Sequence, residues 1–435
     1  MAQFRLARLC LMLAAFGATA PALVTSAHAQ QKSDAPAAAA APQDSVRPEL
    51  FKLLDPAAVK PLVDAKNFTE VQSRITQAEA FPNRTPYEDY VINRMKLTVA
   101  SSTGNDAAAM PALEAVINSG KLAPADKANF IQALGNMYFN AKNYPKALEW
   151  FERYQKESTT PDAVRPAMAS AYYLQNDFAK ARDTLLPIVE AQEKAGQKPA
   201  EKDLRMLASS AIKLKDDAGY LAAIEKLARS YPTDEIWVDL INRGTVRKPG
   251  FDQNTHLANY YRLEFTALKK LEVEEYINLA ELAMRDGFPT EAKKAMDAGY
   301  AAGVLGKGSN AKAHAALRDK ANKGAADDAK NIAAGEASAA KAKTGAGLVN
   351  LGWAYATMDQ ADKGIGFIQQ GIAKGGLKNT EEAKLRLGMA QVRAGKKAEA
   401  VQTFQGIKGG GGAGDLAKYW IMLLNQQGGA ATAAK

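Results

Sequence analysis

Small residues recur through this 435-residue chain at a nearly fixed interval, and no other feature limits its fold so strongly. Ala100, Gly135, Ala169, Ala208, Gly244, Ala280, Ala316, Gly352 and Gly388 stand 34–39 residues apart, the last five intervals all being 36. Most copies carry a second small residue twelve positions on and an apolar residue four further. Ala112 with Val116, Ala147 with Phe151, Ala181 with Leu185, Ala292 with Met296, Gly364 with Ile368 and Ala400 with Phe404 fit this form. Val59, with Val71 and Ile75, reads as a divergent first copy. The 244 and 316 copies keep the length and lose the residues, since His256 and Asp328 take the second small position; Tyr220 takes it in the 208 copy.

Each copy holds two apolar runs of helical period with a short polar break between them, as at residues 140–143, 175–177 and 286–289. The paired small residues mark a close crossing of two helices, because a larger side chain would push them apart. An aromatic residue such as Phe151 or Phe404 fills the adjoining gap. A lone hairpin buries too little apolar surface to offset its ordering entropy, so the hairpins must stack on one another.

Two copies align without a gap at an offset of 34: Leu134-Gly135, Tyr138, Asn143-Tyr144, Ala147 and Phe151 against Met168-Ala169, Tyr172, Asp177-Phe178, Ala181 and Leu185. Leu134, Gly135, Tyr138, Ala147 and Phe151 have the spacing of the tetratricopeptide repeat signature, and Pro124 and Pro232 fall where its terminal proline sits. The chain therefore resembles tetratricopeptide repeat (TPR) proteins over about residues 49–408. As a whole it looks like the exported TPR proteins of Gram-negative bacteria. The resemblance implies an all-α fold over 48–435, a right-handed α-solenoid of about nine or ten TPR-like helical hairpins. A closing C-terminal helix is expected over 415–427, after a flexible glycine turn at 409–412. The Ala-, Lys- and Gly-rich stretch at 306–347 is expected to be the softest part.

Residues 1–29 read as a secretory signal. Arg5 and Arg8 supply the positive start, residues 9–24 the apolar stretch, and Ala27-His28-Ala29 the small-residue cleavage site before Gln30. Cys10, the one cysteine, precedes the apolar stretch and leaves with it, so the mature chain can form no disulfide. Residues 30–47, rich in Ala and Pro, carry almost no large apolar side chain and read as a disordered tether. The expected location is the periplasm, with no membrane span in the mature chain.

Catalytic constellations are missing from the sequence. Three histidines and one cysteine leave little for metal or triad chemistry, and His256 and His314 read as packed or surface residues. No G-x-S-x-G, H-E-x-x-H, C-x-x-C or phosphate-loop motif occurs. Neither cofactor nor metal is expected, and the chain is read as no enzyme. A net charge of +9 is too modest to argue for nucleic acid.

In the resemblance, first-helix positions flanking the first small residue line a partner groove. They fall on Asn129, Gln132, Asn136, Phe139, Asn140, Tyr173, Lys202, Arg205, Ser209, Glu281, Trp353 and Arg393. Some TPR proteins clamp a peptide's terminal carboxylate there; Asn136 and Lys202 match that pattern, whereas Gln132, Ala167 and Arg205 depart from it. Trp353 is either an anchor for a partner's side chain or a packing residue between repeats. The expected function is a protein–protein interaction scaffold or adaptor of the cell envelope, holding a segment of another envelope protein or peptide. Two alternatives compete: electrostatic attachment to an anionic polymer or lipid surface, and a cell-wall enzyme of the helical-superhelix transglycosylase type. Repeats running to about residue 408 leave that enzyme no catalytic domain.

Overall fold

The computed structural model describes residues 44–433, with side chains as far as Gln426 (Ala125 excepted), and every regular element among them is helical. The signal segment and most of the tether lie outside the described residues. The chain divides into two compact units, the first ending at Ile188 and the second beginning at Val189.

The first unit contains α1 (Pro48–Leu54), α2 (Pro56–Asp64), α3 (Phe68–Glu79), α4 (Pro86–Ser102), α5 (Asp106–Asn118), α6 (Pro124–Asn140), α7 (Tyr144–Glu157) and α8 (Arg165–Leu174). The unit boundary falls within α9 (Phe178–Lys194). Val59, Val71 and Ile75 are buried together with Leu50 and Leu54, so the divergent first copy is the hairpin α2–α3. Gly135 meets the predicted aromatic partner: a Cβ there would lie 2.6 Å from the Phe151 ring. Folded structure reaches just into the expected tether. Arg47 bonds Glu88 at 2.8 Å, and the Glu88 side chain is fully buried. The Arg47 guanidinium holds that carboxyl down to about 2, against the cost of burial and with help from the Thr85 backbone.

One turn design joins most hairpins. Lys66, Gly104, Lys142, Asn176 and Lys215 take left-handed φ between 57° and 67°. The next residue, respectively Asn67, Asn105, Asn143, Asp177 and Asp216, sends its N–H back to the previous helix, as Asn143 N–H does to the Tyr138 carbonyl at 2.9 Å. Its side chain then accepts from the first turn of the next helix, Asn143 from Lys146 N–H at 3.3 Å and Asp177 from Lys180 N–H at 3.1 Å. A Schellman stop and an N-cap thus share two residues. Edge-on aromatic pairs brace two of these turns, Phe139 with Tyr144 (5.5 Å) and Tyr173 with Phe178 (5.3 Å).

The second unit holds α10 (Glu201–Leu214), α11 (Asp217–Ser230), α12 (Asp234–Gly244), α13 (Gln253–Ala267), α14 (Val273–Arg285) and α15 (Pro289–Ala301). They are followed by α16 (Ala311–Asn331), α17 (Glu336–Lys341), α18 (Ala346–Thr357), α19 (Ala361–Lys374), α20 (Thr380–Arg393), α21 (Lys397–Gln405) and α22 (Ala413–Ala433). Glycine brings α18 and α19 to the closest crossing, where a Cβ on Gly352 would stand 2.5 Å from the Gly364 carbonyl oxygen.

Two copies depart from expectation. The 316 copy is no hairpin: Ala316 is exposed, and Asp328 lies on the same uninterrupted helix α16. Turns recur at Gly287 and Asp359, 72 residues apart, and the position midway between them has no left-handed residue. In the 244 copy, residues 245–252 separate the two helices, and Gly244 is kept small by the Tyr419 ring of α22 instead of by a hairpin partner. The closing helix is therefore longer than predicted and folds back onto earlier helices of its own unit. Lys418 pairs with Glu225, Gln426 bonds the Ala228 carbonyl, and Lys248 reaches Asp415 at 2.6 Å. The glycine run before it is pinned by Asp252 N–H donating to the Gly411 carbonyl at 2.9 Å.

Candidate functional site

Helix α6 carries five of the twelve predicted groove residues, which steps of three and four bring into line along one face. Asn129, Asn136 and Asn140 are exposed, and Gln132 and Phe139 half-buried. Ile131, Leu134 and Met137, on the other side of the same helix, lie in the core of the unit. No other described group pairs with the side-chain amides of Asn129, Gln132 or Asn136. On α8, Tyr173 is half-buried, and Leu174 beside it is 49 % exposed, an apolar surface residue that the repeat pattern did not single out. The face thus offers free amide donors and acceptors flanked by aromatic and aliphatic surface.

The remaining predicted residues belong to the second unit. On α10, Lys202 is exposed, Arg205 is ion-paired with Glu201 at 2.7 Å, and Ser209 is half-buried. Glu281 is exposed on α14. Asn136 and Lys202, the two matches to the carboxylate clamp, stand in different units. Trp353 is 1 % exposed and packs inside the second unit. Arg393 lies over its ring at 5.2 Å.

Around Trp353 the second unit builds an ionic core that the sequence reading missed. Arg262 and Glu291, each side chain 3 % exposed, form a forked pair with contacts of 3.0, 3.2 and 2.8 Å. Trp353 donates its indole N–H to Glu291 at 3.3 Å and lies under the Arg262 guanidinium at 4.9 Å. Arg262 also donates to Asn259 at 2.7 Å; Asn259 bonds Glu382, which accepts from Arg386 at 2.8 Å. His256, 2 % exposed, sits 3.4 Å from the same carboxylate. Burial opposes both charges of the central pair, yet their attraction and hydrogen bonds hold Arg262 above and Glu291 below their ordinary values. Through these contacts the network ties α13 to α15, α18 and α20.

A separate buried acid lies on α13. Both oxygens of fully buried Glu264 lack hydrogen-bond partners. Burial pushes this carboxyl up to about 8, with the nearby Tyr260 hydroxyl drawing it partly back and the Glu275 charge adding to the rise. Polar residues at 256, 259 and 262, and charged ones at 382, 386 and 393, keep helical spacing on faces that are otherwise apolar. That stripe was the available signal, though it names no partners.

Among the described residues no cluster of His, Cys, Asp and Glu could hold a metal ion, and no helix is long and apolar enough to cross a membrane. No curated protein sequence matches the chain. Among solved structures, it is similar to a tetratricopeptide repeat protein from Parabacteroides merdae at 12% identity, covering 78% of this chain and 99% of that one, TM-score 0.28. It is also similar to the TPR2AB domain of yeast Sti1 in complex with pHSP90, at 17% identity, covering 71% and 96%, TM-score 0.24. A third is yeast Tom70, at 10% identity, covering 89% and 96%, TM-score 0.23. By sequence, residues 382–408, the hairpin α20–α21, match the family model of the tetratricopeptide repeat.

Proposed function

We propose that this chain is a non-enzymatic scaffold of the bacterial periplasm, and that the face of α6 and α8 holds an extended segment of another envelope protein. The observation that carries this reading is the row of unpaired amides at Asn129, Gln132 and Asn136. A side-chain amide both donates and accepts, so a row of them along one helix can satisfy the N–H and C=O groups of an extended peptide. Phe139, Tyr173 and Leu174 supply the apolar contact that such a segment's side chains need. Export rests on the Arg5-to-Ala29 pattern, which places cleavage after Ala29.

Site-specific photocross-linking in cells tests the reading. A photoreactive residue at 129 or 136 is expected to trap the same protein, and one at exposed Lys156 on α7 to trap none. Identical products from all three positions, or none from 129 and 136, would end the proposal for this face. Mass spectrometry of the protein recovered from cells is expected to find Gln30 as its first residue.

A further inference from the structure

The second unit holds a partly open cavity of about 370 Å³ beside the ionic core. Its walls mix apolar side chains, Phe265, Leu279, Met389, Trp353 and Trp420 among them, with Arg262, Lys294 and Arg393 set against the single carboxylate of Glu291. Arg262 and Trp353 already donate to that carboxylate. Arg393 approaches it only to 3.6 Å, beyond hydrogen-bonding distance, and has its side chain 29 % exposed. Lys294 is neutralised only by Asp359, which is 83 % exposed and so a weakly held partner. Trp420, 2 % exposed, completes the aromatic part of the wall.

We propose that this cavity binds a small carboxylate with an apolar body, its charged end toward Arg393 and Lys294 and its body against the aromatic and aliphatic wall. A guanidinium fork matches a carboxylate's two oxygens. Burial pulls Arg393 below its ordinary value and the neighbouring Arg262 charge adds to this, with the carboxylates of Glu291 and Asp359 opposing them. The aromatic and aliphatic part of the wall favours an anion with an apolar body over one that is polar all round, and a volume near 370 Å³ falls within the usual ~300–1,000 Å³ of small-ligand pockets.

The probe is benzoate added to the mature protein, read by the four tryptophan indole N–H signals in a nitrogen-edited NMR spectrum, with W420F assigning one of them. Benzoate is expected to move the Trp420 signal saturably, and R393Q to weaken its binding about tenfold or more. K294Q, which perturbs the ionic core less, is expected to weaken it about threefold and serves if R393Q does not fold. The neutral analogue benzamide and inorganic phosphate are both expected to leave the signal in place. No movement with benzoate, equal movement with benzamide, displacement of benzoate by an equal concentration of phosphate, or an affinity unchanged in the variants would each overturn the proposal.

Discussion

Two buried glutamates show how the same side chain is displaced in opposite directions by its neighbours. Glu88 has a guanidinium and two backbone donors, and it stays ionised down to about 2. Glu264 has no hydrogen-bond partner and is held neutral up to about 8. The unfolded chain would ionise Glu264 near its ordinary 4.5, while the native state keeps the proton. Stability drawn from this group is therefore complete below about 4.5 and is lost as pH rises toward 8, at roughly 1.4 kcal/mol per pH unit. E264Q removes the titration. It is expected to raise the melting temperature at pH 8 relative to the parent and to flatten the decline between pH 5 and 8, as measured by thermal unfolding followed by circular dichroism. An unchanged pH profile would show that Glu264 is ionised in the native state.

At the level of the helix pair, glycine decides how closely two rods can lie. Gly352 faces the Gly364 carbonyl across α18 and α19, and backbone, unlike a flexible side chain, has little freedom to move aside. G352A is expected to destabilise the second unit by about 1–3 kcal/mol, read from the denaturant midpoint. The same logic explains how much was legible in advance. Hairpins α4–α5, α6–α7, α8–α9 and α20–α21 were readable because their small residues, polar break and apolar partner all lie within one stretch of about 30 residues. The 316 copy had the interval without the break. Residues 311–331 form a run rich in Ala and Lys with no capped turn, so helix propensity carried α16 straight through. The face of α6 was likewise local and could be read from spacing. The ionic core was not: Arg262 meets Glu291 across 29 residues, and Asn259 meets Glu382 across 123. Helical periodicity gives the side on which a residue lies and says nothing of which distant residue it meets. Trp353 was ambiguous for the same reason, since groove and packing positions share one spacing.

On the scale of the molecule, the closing helix changes the nature of the second unit. Glu225 is paired with Lys418 across 193 positions, and Gln426 bonds Ala228 across 198. An open stack of hairpins owes its stability to nearest neighbours alone; this unit also depends on contacts between its beginning and its end. Ending the chain at Gly412 is expected to lower amide-exchange protection in α11, α12 and α13 by roughly 30-fold, about 2 kcal/mol of local stability. Unchanged protection there would mean that α22 only rests on helices that are stable without it. The ribosome makes the clasp after the helices that it covers. Helices α11 to α13 emerge roughly 150–200 residues before that segment, so the second unit must wait, incompletely sheltered, until α22 has been made. A chain halted before α22 would display the bare flank of Gly244, and Glu225 with Arg229 as its remaining partner, to whatever quality-control machinery it meets.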